Sequence, residues 1–270
     1  MTSREPAALA PAVIQYWDRE AIPDYVAELM AGFERLNPDL RHLVFDELSA
    51  EELIGERFGA RQAAAFRACA VPAMQADYFR YCALHALGGV YADSDFRCVA
   101  PLQPLLEGPA SGALFGRPEL PARWRTPAFE WRERVGPYRV VMNSFFAFPS
   151  PGHPLLELAV EIATANVENR VAEDVALVTG PAIFTSLYLL RELGSFEAFV
   201  EYCEGGVLAP CAHLLCETVG EHERVVRAFD GVELKSEIES RAWVGDSGDR
   251  LPYKDTEDHW LNVTSSIYNR

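Results

Sequence analysis

Apolar positions along this chain alternate between short runs and longer stretches with helical spacing, which predicts an α/β protein. The first short run, Ala12–Trp17, is bounded by a proline and an aspartate and indicates a strand. Residues 23–36 carry apolar side chains at helical spacing, and a second strand is expected at Leu43–Phe45. This alternation is typical of a sheet flanked by helices.

A second apolar helix is expected from Pro72 to the Gly88-Gly89 pair. Proline favours the first turn of a helix, and glycine permits the backbone that ends one. Asp77 and Arg80 lie three residues apart on this helix, so their side chains project on one side. Buried charges are costly unless they are paired or functional, so the two residues are either a structural ion pair or part of a site.

Two carboxylates follow the next short strand. Val90 and Tyr91 form the strand, and Asp93 and Asp95 come directly after it with side chains on the same face. In open α/β sheets, the carboxyl end of a strand faces the ligand crevice. Two carboxylates there suit a hard divalent cation that bridges phosphate oxygens. Taken alone, such an Asp-x-Asp pair is more often a solvated turn.

The remaining chain continues the α/β pattern. Strands are expected at 113–115 and 140–148, and a helix is expected from Pro154 to about residue 168. The Pro- and Arg-rich residues 117–138 predict a surface loop or insertion, which is either a flap that contacts acceptor or phosphate, or a polar connection. A turn at 179–181 (TGP) precedes a further helix.

Charge and cysteine content narrow the class of protein. The formal net charge of −16 argues against non-specific nucleic-acid binding and against docking on an anionic membrane. The six cysteines form no C-x-x-C pair and no zinc-type cluster, which favours a reduced, cytoplasmic protein. We expect no signal peptide and no membrane insertion. The oligomeric state is not encoded in any pattern of this sequence.

The joint pattern of residues 76–95 resembles the DXD sugar-binding region of glycosyltransferase family 32, which also covers the catalytic domains of large clostridial glucosylating toxins. The shared residues are Asp77 and Arg80, then Gly88-Gly89-Val90-Tyr91-Ala92-Asp93-Ser94-Asp95 at fixed spacing. An EF-hand is excluded because its sixth and twelfth positions would be Cys98 and Pro104. A haloacid-dehalogenase-type phosphatase is disfavoured because Phe96-Arg97 follows the acidic pair.

The resemblance implies a GT-A type, Rossmann-like nucleotide-sugar-binding fold, with a mixed central sheet flanked by helices and a single domain over residues 1–270. It implies a metal-dependent, retaining transfer of a hexose from a nucleotide-sugar, with a UDP-sugar such as UDP-glucose favoured. The acceptor would be a glycan, a small molecule or a protein. Mn²⁺ or Mg²⁺ would be held by Asp95, and Asp93 would contact the metal, metal-bound water or the ribose.

The same resemblance assigns site residues. Asp77 would accept hydrogen bonds from sugar hydroxyls, Arg80 would face the phosphate or sugar, and Asn143 would complete the sugar pocket. Tyr91 and Gly89 are assigned to donor binding with the motif that contains them.

Both ends of the chain extend this assignment. By resemblance, the strand end at Tyr16-Trp17 lies under the nucleotide base, so either ring would stack on it or pack in the core. Residues 242–270 resemble a C-terminal segment that closes over the metal and diphosphate. His259 is the first choice for a third metal ligand there and Asp258 the second, while Tyr268 stands where tryptophan is usual.

Three alternatives to a glycosyltransferase stay open: a non-catalytic nucleotide-sugar-binding module, a hydrolase that splits the donor, and a metal-dependent phosphatase.

Overall fold

A computed structural model describes residues 11–19, 21–117, 140–204, 206, 208–246 and 266–269. The strands lie close to the apolar runs of the sequence. They are Ala12–Tyr16 (β1), Arg41–Phe45 (β2), Gly89–Ala92 (β3), Phe96–Cys98 (β4), Gly112–Arg117 (β5), Val140–Phe148 (β6), Val232–Ser236 (β7) and Val244–Asp246 (β8).

The helices cover most of the remaining described chain. They are Asp24–Leu36 (α1), Glu47–Phe58 (α2), Ala60–Ala68 (α3), Pro72–Leu87 (α4), Gln103–Glu107 (α5), Pro154–Asn169 (α6), Val175–Val178 (α7), Ala182–Leu193 (α8), Phe196–Cys203 (α9), Ala209–Val219 (α10), His222–Ala228 (α11) and Glu237–Ser240 (α12). None of these helices is long and apolar enough to cross a membrane.

The central sheet has six strands in the order β2-β1-β3-β6-β5-β7. Strand β1 is parallel to both β2 and β3, whereas β6 is antiparallel to β3 and β5. The predicted mixed sheet flanked by helices is therefore confirmed. Strand β2 lies on one side of β1 and β3 on the other, so successive strands are added on opposite sides of β1. Such a topological switch point leaves a ligand crevice at the carboxyl ends of the strands.

Buried side chains cover both faces of this sheet. The larger cluster packs α4, α6 and α8 against one face, with Tyr78, Phe146 and Phe184 fully buried. The smaller cluster, which includes Phe33 of α1, covers the other face. This two-sided burial explains why β3 and β6 read as continuous apolar runs.

Gly89 allows β3 to lie close to β1. Its φ is +116°, and a Cβ atom built there would lie 2.1 Å from the carbonyl oxygen of Ala12. Both the backbone conformation and the space therefore require glycine at this position.

Two local features are not evident from the apolar pattern of the sequence. Helix α2 starts at Glu47 because the Asp46 side chain accepts a hydrogen bond from the Ser49 amide, 2.8 Å away, in a reciprocal capping box. In addition, β4 and β8 form a separate antiparallel pair directly after the acidic motif. Residues 118–138 of the predicted loop lie outside the described residues.

Candidate functional site

Helix α4 brings Asp77 and Arg80 together, as their spacing predicted. The Arg80 Nη2 atom lies 2.9 Å from Asp77 Oδ1, and the two side chains are only 4% and 10% exposed. Apolar neighbours, including Tyr78 and Phe79, bury the rest of this helix. A charged pair in such surroundings requires further partners for its remaining hydrogen-bonding atoms.

Arg80 finds these partners across the sheet. Its Nη2 atom also lies 3.1 Å from Asp93 Oδ1, just beyond the end of β3. Its Nε donates to the Ala76 carbonyl at 3.0 Å, and its Nη1 donates to the carbonyl oxygen of Asn143. The guanidinium group also lies over the Tyr91 ring, with Cζ 4.6 Å from the ring centre. All three guanidinium nitrogens are engaged, so the group is held in one position.

Asn143 connects strand β6 to this pair. The Asp93 amide donates to the Ser144 carbonyl at 2.9 Å, which places Asn143 beside the end of β3. Its Nδ2 atom donates to Asp77 Oδ1 at 2.9 Å and to the Tyr81 hydroxyl at 3.0 Å. The structure therefore unites Asp77, Arg80, Asp93 and Asn143 in one network.

Tyr81 is a member of this network that sequence analysis missed. Its hydroxyl donates to the Thr179 carbonyl oxygen at 2.8 Å and also lies 3.2 Å from the Gly180 carbonyl oxygen. The residue is fully buried. A tyrosine on an apolar helix looks like an ordinary core residue. The one local signal was that Tyr81 directly follows Arg80 in the sequence.

Negative charge dominates this end of the sheet. Burial raises the pKa of the Asp93 carboxyl to about 7, and Asp95 and Asp77 add to that shift while Arg80 opposes it. Burial likewise raises the pKa of Asp77 to about 6, against Arg80 and the hydrogen bond from Asn143. Two carboxylates thus contact one guanidinium, and a third, Asp95, lies close enough to Asp93 to affect its pKa. Oxygen donors with excess negative charge fit a divalent cation.

The acidic motif itself lies at the predicted place. Asp93 keeps 30% of its side chain exposed, and Asp95 is half-buried. In the described part of the chain, no cluster of three or more His, Cys, Asp or Glu side chains could hold a metal ion. Asp258 and His259, the expected third ligands, lie outside the described residues, so their assignment stays a prediction.

Two aromatic residues at the end of β1 have different surroundings. Tyr16 is 4% exposed; its ring packs 5.4 Å from that of Phe79, and its hydroxyl donates to Gln75 Oε1 at 3.0 Å. Trp17 is half-buried, and its Nε1 lies 3.3 Å from the Ala21 carbonyl oxygen. Of the two expected stacking residues, Trp17 is the one that is partly exposed.

The remaining motif residues occupy structural positions. Gly89 begins β3, at the opposite end of the strand from Asp93, and contacts β1 rather than the crevice. Tyr91 is 1% exposed and supports Arg80. Their assignment to donor contact stays a prediction, and the structure gives each of them a packing role. His153 caps α6 by accepting a hydrogen bond from the Leu155 amide at its Nδ1.

Residues 266–269 dock against the start of α4. The Ala70 amide donates to the Ile267 carbonyl at 2.8 Å, and the Tyr268 hydroxyl donates to the Ala172 carbonyl at 2.8 Å. Both Ile267 and Tyr268 are buried. Residues 242–246 and 266–269 of the expected closing segment are described, and 247–265 lie outside the described residues.

A comparison with known protein families matches the part of the chain that contains this site. Residues 23–111 match the family model described as "Glycosyltransferase sugar-binding region containing DXD motif". The matched range contains Asp77, Arg80, Asp93 and Asp95, so the resemblance inferred from the motif is confirmed.

Two curated relatives carry the same name, "Initiation-specific alpha-1,6-mannosyltransferase". The protein from Candida albicans is 27% identical over 210 residues, covering 67% of this chain and 52% of its own length. The protein from Schizosaccharomyces pombe is 28% identical over 195 residues, covering 61% of this chain and 45% of its own length. The chain thus spans about half the length of these relatives.

Among solved structures, the chain is similar to "PaToxG Glycosyltransferase", with a TM-score of 0.41 and 15% identity. The similarity covers 82% of this chain and 86% of that one.

Proposed function

We propose that this chain, whose residues 23–111 match a glycosyltransferase sugar-binding region, is a metal-dependent glycosyltransferase that uses a nucleoside-diphosphate sugar. One observation carries the proposal: Arg80 lies between Asp77 and Asp93 at the carboxyl end of β3. This arrangement provides one fixed positive group and several carboxylate oxygens where an anionic, hydroxyl-rich ligand would enter.

Asp93 and Asp95 are the residues that would hold Mn²⁺ or Mg²⁺. A bound divalent cation supplies Lewis-acid stabilisation to a departing diphosphate. The protein's own contribution is positional, because Arg80 keeps the Asp93 carboxylate in place and adds a positive charge near it. Preorganised charges of this kind act without rearrangement during the reaction.

Asp77 is the proposed contact for the donor sugar. Arg80 and Asn143 both donate to its Oδ1 atom. Oδ2 is therefore the atom that we propose accepts a hydrogen bond from a sugar hydroxyl, as carboxylate oxygens do.

The base of the nucleotide is proposed to stack on Trp17. Strand β1 ends there, beside the end of β3, and Gln15 links the two strands through a hydrogen bond of 3.4 Å to the Asp93 carbonyl. The indole ring offers a planar apolar surface, whereas Tyr16 is enclosed in the core.

The identity of both substrates belongs to the proposal. The sequence resemblance favours a UDP-sugar and retention of configuration, whereas the names of the curated relatives favour mannose as the sugar. The acceptor is proposed to be a glycan, a small molecule or a protein. A reducing, cytoplasmic location is proposed from the cysteines, all six of which are free thiols.

Residues 242–270 are proposed to close the site, as part of a single domain. Strand β8 begins this segment beside β4, which follows Asp95, and Tyr268 ends it beside Cys69 before α4. The proposal that the intervening residues, Asp258 and His259 among them, approach the metal rests on the family resemblance.

The decisive experiment measures binding and hydrolysis of UDP-glucose, UDP-GlcNAc, UDP-galactose and GDP-mannose, with Mn²⁺ and with EDTA. Asp95→Asn is compared with the wild type, and Asp39→Asn, an exposed residue of the turn before β2, serves as the matched control. We expect one nucleotide-sugar to bind and be slowly hydrolysed only with metal and intact Asp95. Turnover of Asp95→Asn within a few-fold of wild type would overturn the proposal.

A donor hydrolase or a binding module is the second candidate. It is favoured by Tyr268, which stands where the family resemblance expects tryptophan and donates its hydroxyl to the Ala172 carbonyl. Donor hydrolysis without transfer to any acceptor in a glycan, small-molecule and protein panel would support the hydrolase.

A further inference from the structure

We infer that Tyr81 is a positioning residue for the donor sugar, acting through Asn143 on Asp77. This inference rests on the proposed function and deepens it. Its basis is a buried, directional chain of hydrogen bonds that runs from the turn before α8, through α4 and β6, to the carboxylate that faces the sugar.

The direction of the chain is set at its far end. The Thr179 carbonyl can only accept, so the Tyr81 hydroxyl must donate its single hydrogen there, at 2.8 Å. The phenol oxygen is then left as an acceptor, and among the described residues its donor is the NH₂ group of Asn143, 3.0 Å away. Because the Asn143 nitrogen must donate to the Tyr81 oxygen, the orientation of the Asn143 amide is determined.

The amide orientation in turn fixes Asp77. With its nitrogen toward Tyr81, Asn143 also presents NH₂ to Asp77 Oδ1, at 2.9 Å. A flipped amide would place its oxygen against the carboxylate and repel it. Asn143 is 4% exposed and Tyr81 fully buried, so water does not readily replace either group, and a broken link leaves unsatisfied buried atoms.

The chain has a consequence for the substrate. Because Oδ1 of Asp77 is occupied by two donors, the sugar is recognised at Oδ2, which only accepts. The donor sugar must therefore present a free hydroxyl at this position, and a deoxy analogue leaves Oδ2 without a donor. Sites built to bind a hydroxyl reject the analogue that lacks it much more strongly than apolar pockets discriminate by size.

Tyr81→Phe tests the inference because it removes one oxygen and keeps the ring. The ring is held separately by Phe184, with an edge-on centroid distance of 5.2 Å. Tyr78→Phe is the matched control: Tyr78 lies on the same helix, is fully buried, and its hydroxyl bonds Thr164 Oγ1 at 2.7 Å, facing α6 instead of the site.

The measured quantity is the dissociation constant of the nucleoside diphosphate divided by that of its sugar conjugate, with Mn²⁺. It is obtained for whichever of UDP-glucose, UDP-GlcNAc, UDP-galactose and GDP-mannose the wild type binds. We expect Tyr81→Phe to lower this ratio about tenfold, the effect of one lost buried hydrogen bond. Tyr78→Phe should leave it within about twofold, although both variants lose stability.

Equal ratios in Tyr81→Phe and Tyr78→Phe would overturn the inference while leaving the proposed function intact. Failure of the wild type to bind any nucleotide-sugar would overturn both. If Tyr81→Phe does not fold, Asn143→Leu interrupts the same chain and should lower the same ratio. If both fold, combining Tyr81→Phe with Asn143→Leu should add little to Asn143→Leu alone, because the two residues act in series.

Discussion

Arg80 of helix α4 binds Asp93 beyond the end of strand β3, with Nη2 and Oδ1 3.1 Å apart. The contact joins the two halves of the sequence motif, which lie on different elements. It also means that the guanidinium group compensates two carboxylates, because Asp77 lies 2.9 Å from the same nitrogen.

Replacing Arg80 with Met should destabilise the fold by about 3–5 kcal/mol, because it leaves the buried Asp77 carboxylate and the partly exposed Asp93 carboxylate without their positive partner. Urea unfolding at pH 8 measures the effect. Arg61→Met provides the comparison: Arg61 also pairs with a carboxylate, at 2.7 Å from Glu168, but is 62% exposed. We expect the Arg61 variant to lose less than about 1 kcal/mol. Similar losses in the two variants would contradict the buried pairing.

Asp93→Asn should separate stability from activity. The pKa of Asp93 is raised from 3.8 to about 7, so the folded state disfavours the charged carboxylate. The contribution of the Asp93 carboxyl to the free energy of unfolding is fully present below about pH 4, and it is lost as the pH rises through about 7. At pH 8 the neutral variant should therefore be as stable as the wild type or more so, while metal-dependent turnover falls at least about 100-fold. Chemical unfolding and donor hydrolysis, measured on one preparation, test both parts; a clear loss of stability at pH 8 would refute the first.

Gly89→Ala should destabilise the protein by at least about 3 kcal/mol, since the new Cβ atom would lie 2.1 Å from the Ala12 carbonyl oxygen. Gly59→Ala separates this clash from backbone strain. Gly59 also has a positive φ, of 92°, but has no atom within 4 Å of a built Cβ, so we expect a cost of about 1 kcal/mol. The two urea midpoints should differ clearly, and equal midpoints would show that β1 and β3 can separate at little cost.

His153→Asn should flatten the pH dependence of stability between pH 4 and 6.5. Burial, with a contribution from His85, lowers the pKa of His153 to about 4. The unfolded chain therefore binds more protons in this range, and stability falls as the pH drops from about 6.5 toward 4. Protonation would place a hydrogen on Nδ1, which accepts from the Leu155 amide at 3.2 Å.

Asparagine retains an oxygen that can cap α6 but does not titrate. The free energy of unfolding should therefore change less with pH in the variant than in the wild type. A residual slope is expected from His85, whose pKa burial also lowers. Identical slopes in the two proteins would exclude His153 as a source of acid sensitivity.

Trp17→Ala should weaken nucleotide binding roughly 5- to 100-fold, the range for losing one aromatic stacking partner of a base. Tyr16→Phe should leave binding unchanged and lower stability instead, because it removes a buried hydroxyl that donates to Gln75. Calorimetric titration of UDP and GDP, with thermal unfolding of the same samples, distinguishes the two roles. The reverse pattern would place the base on Tyr16.

The sequence predicted those parts of the fold that depend on local signals. Pro72 and the glycine pair mark both ends of α4, and the alternation of apolar runs locates β1, β3 and β6 closely. The spacing of Asp77 and Arg80 predicted their contact, because helical geometry alone brings such residues together.

Other features depend on contacts between distant residues and carry no local signal. Nothing in the Val140–Phe148 run specifies that β6 lies between β3 and β5 and antiparallel to both. The assignment of Tyr16 to the core and Trp17 to the edge follows from packing against α4. Tyr81 was missed because its role depends on the Thr179 carbonyl, far along the chain.

The docking of residues 266–269 also constrains the order of events during synthesis. The Asn269 side chain donates to the carbonyl of Arg67, a residue 202 positions earlier. At ordinary translation rates, roughly 10–40 s separate the emergence of these two segments from the ribosome. Throughout that interval the corner between α3 and α4 lacks its buried tyrosine and its two backbone partners. A nascent chain of this protein therefore presents an open apolar corner to chaperones until residues 266–269 have emerged from the ribosome.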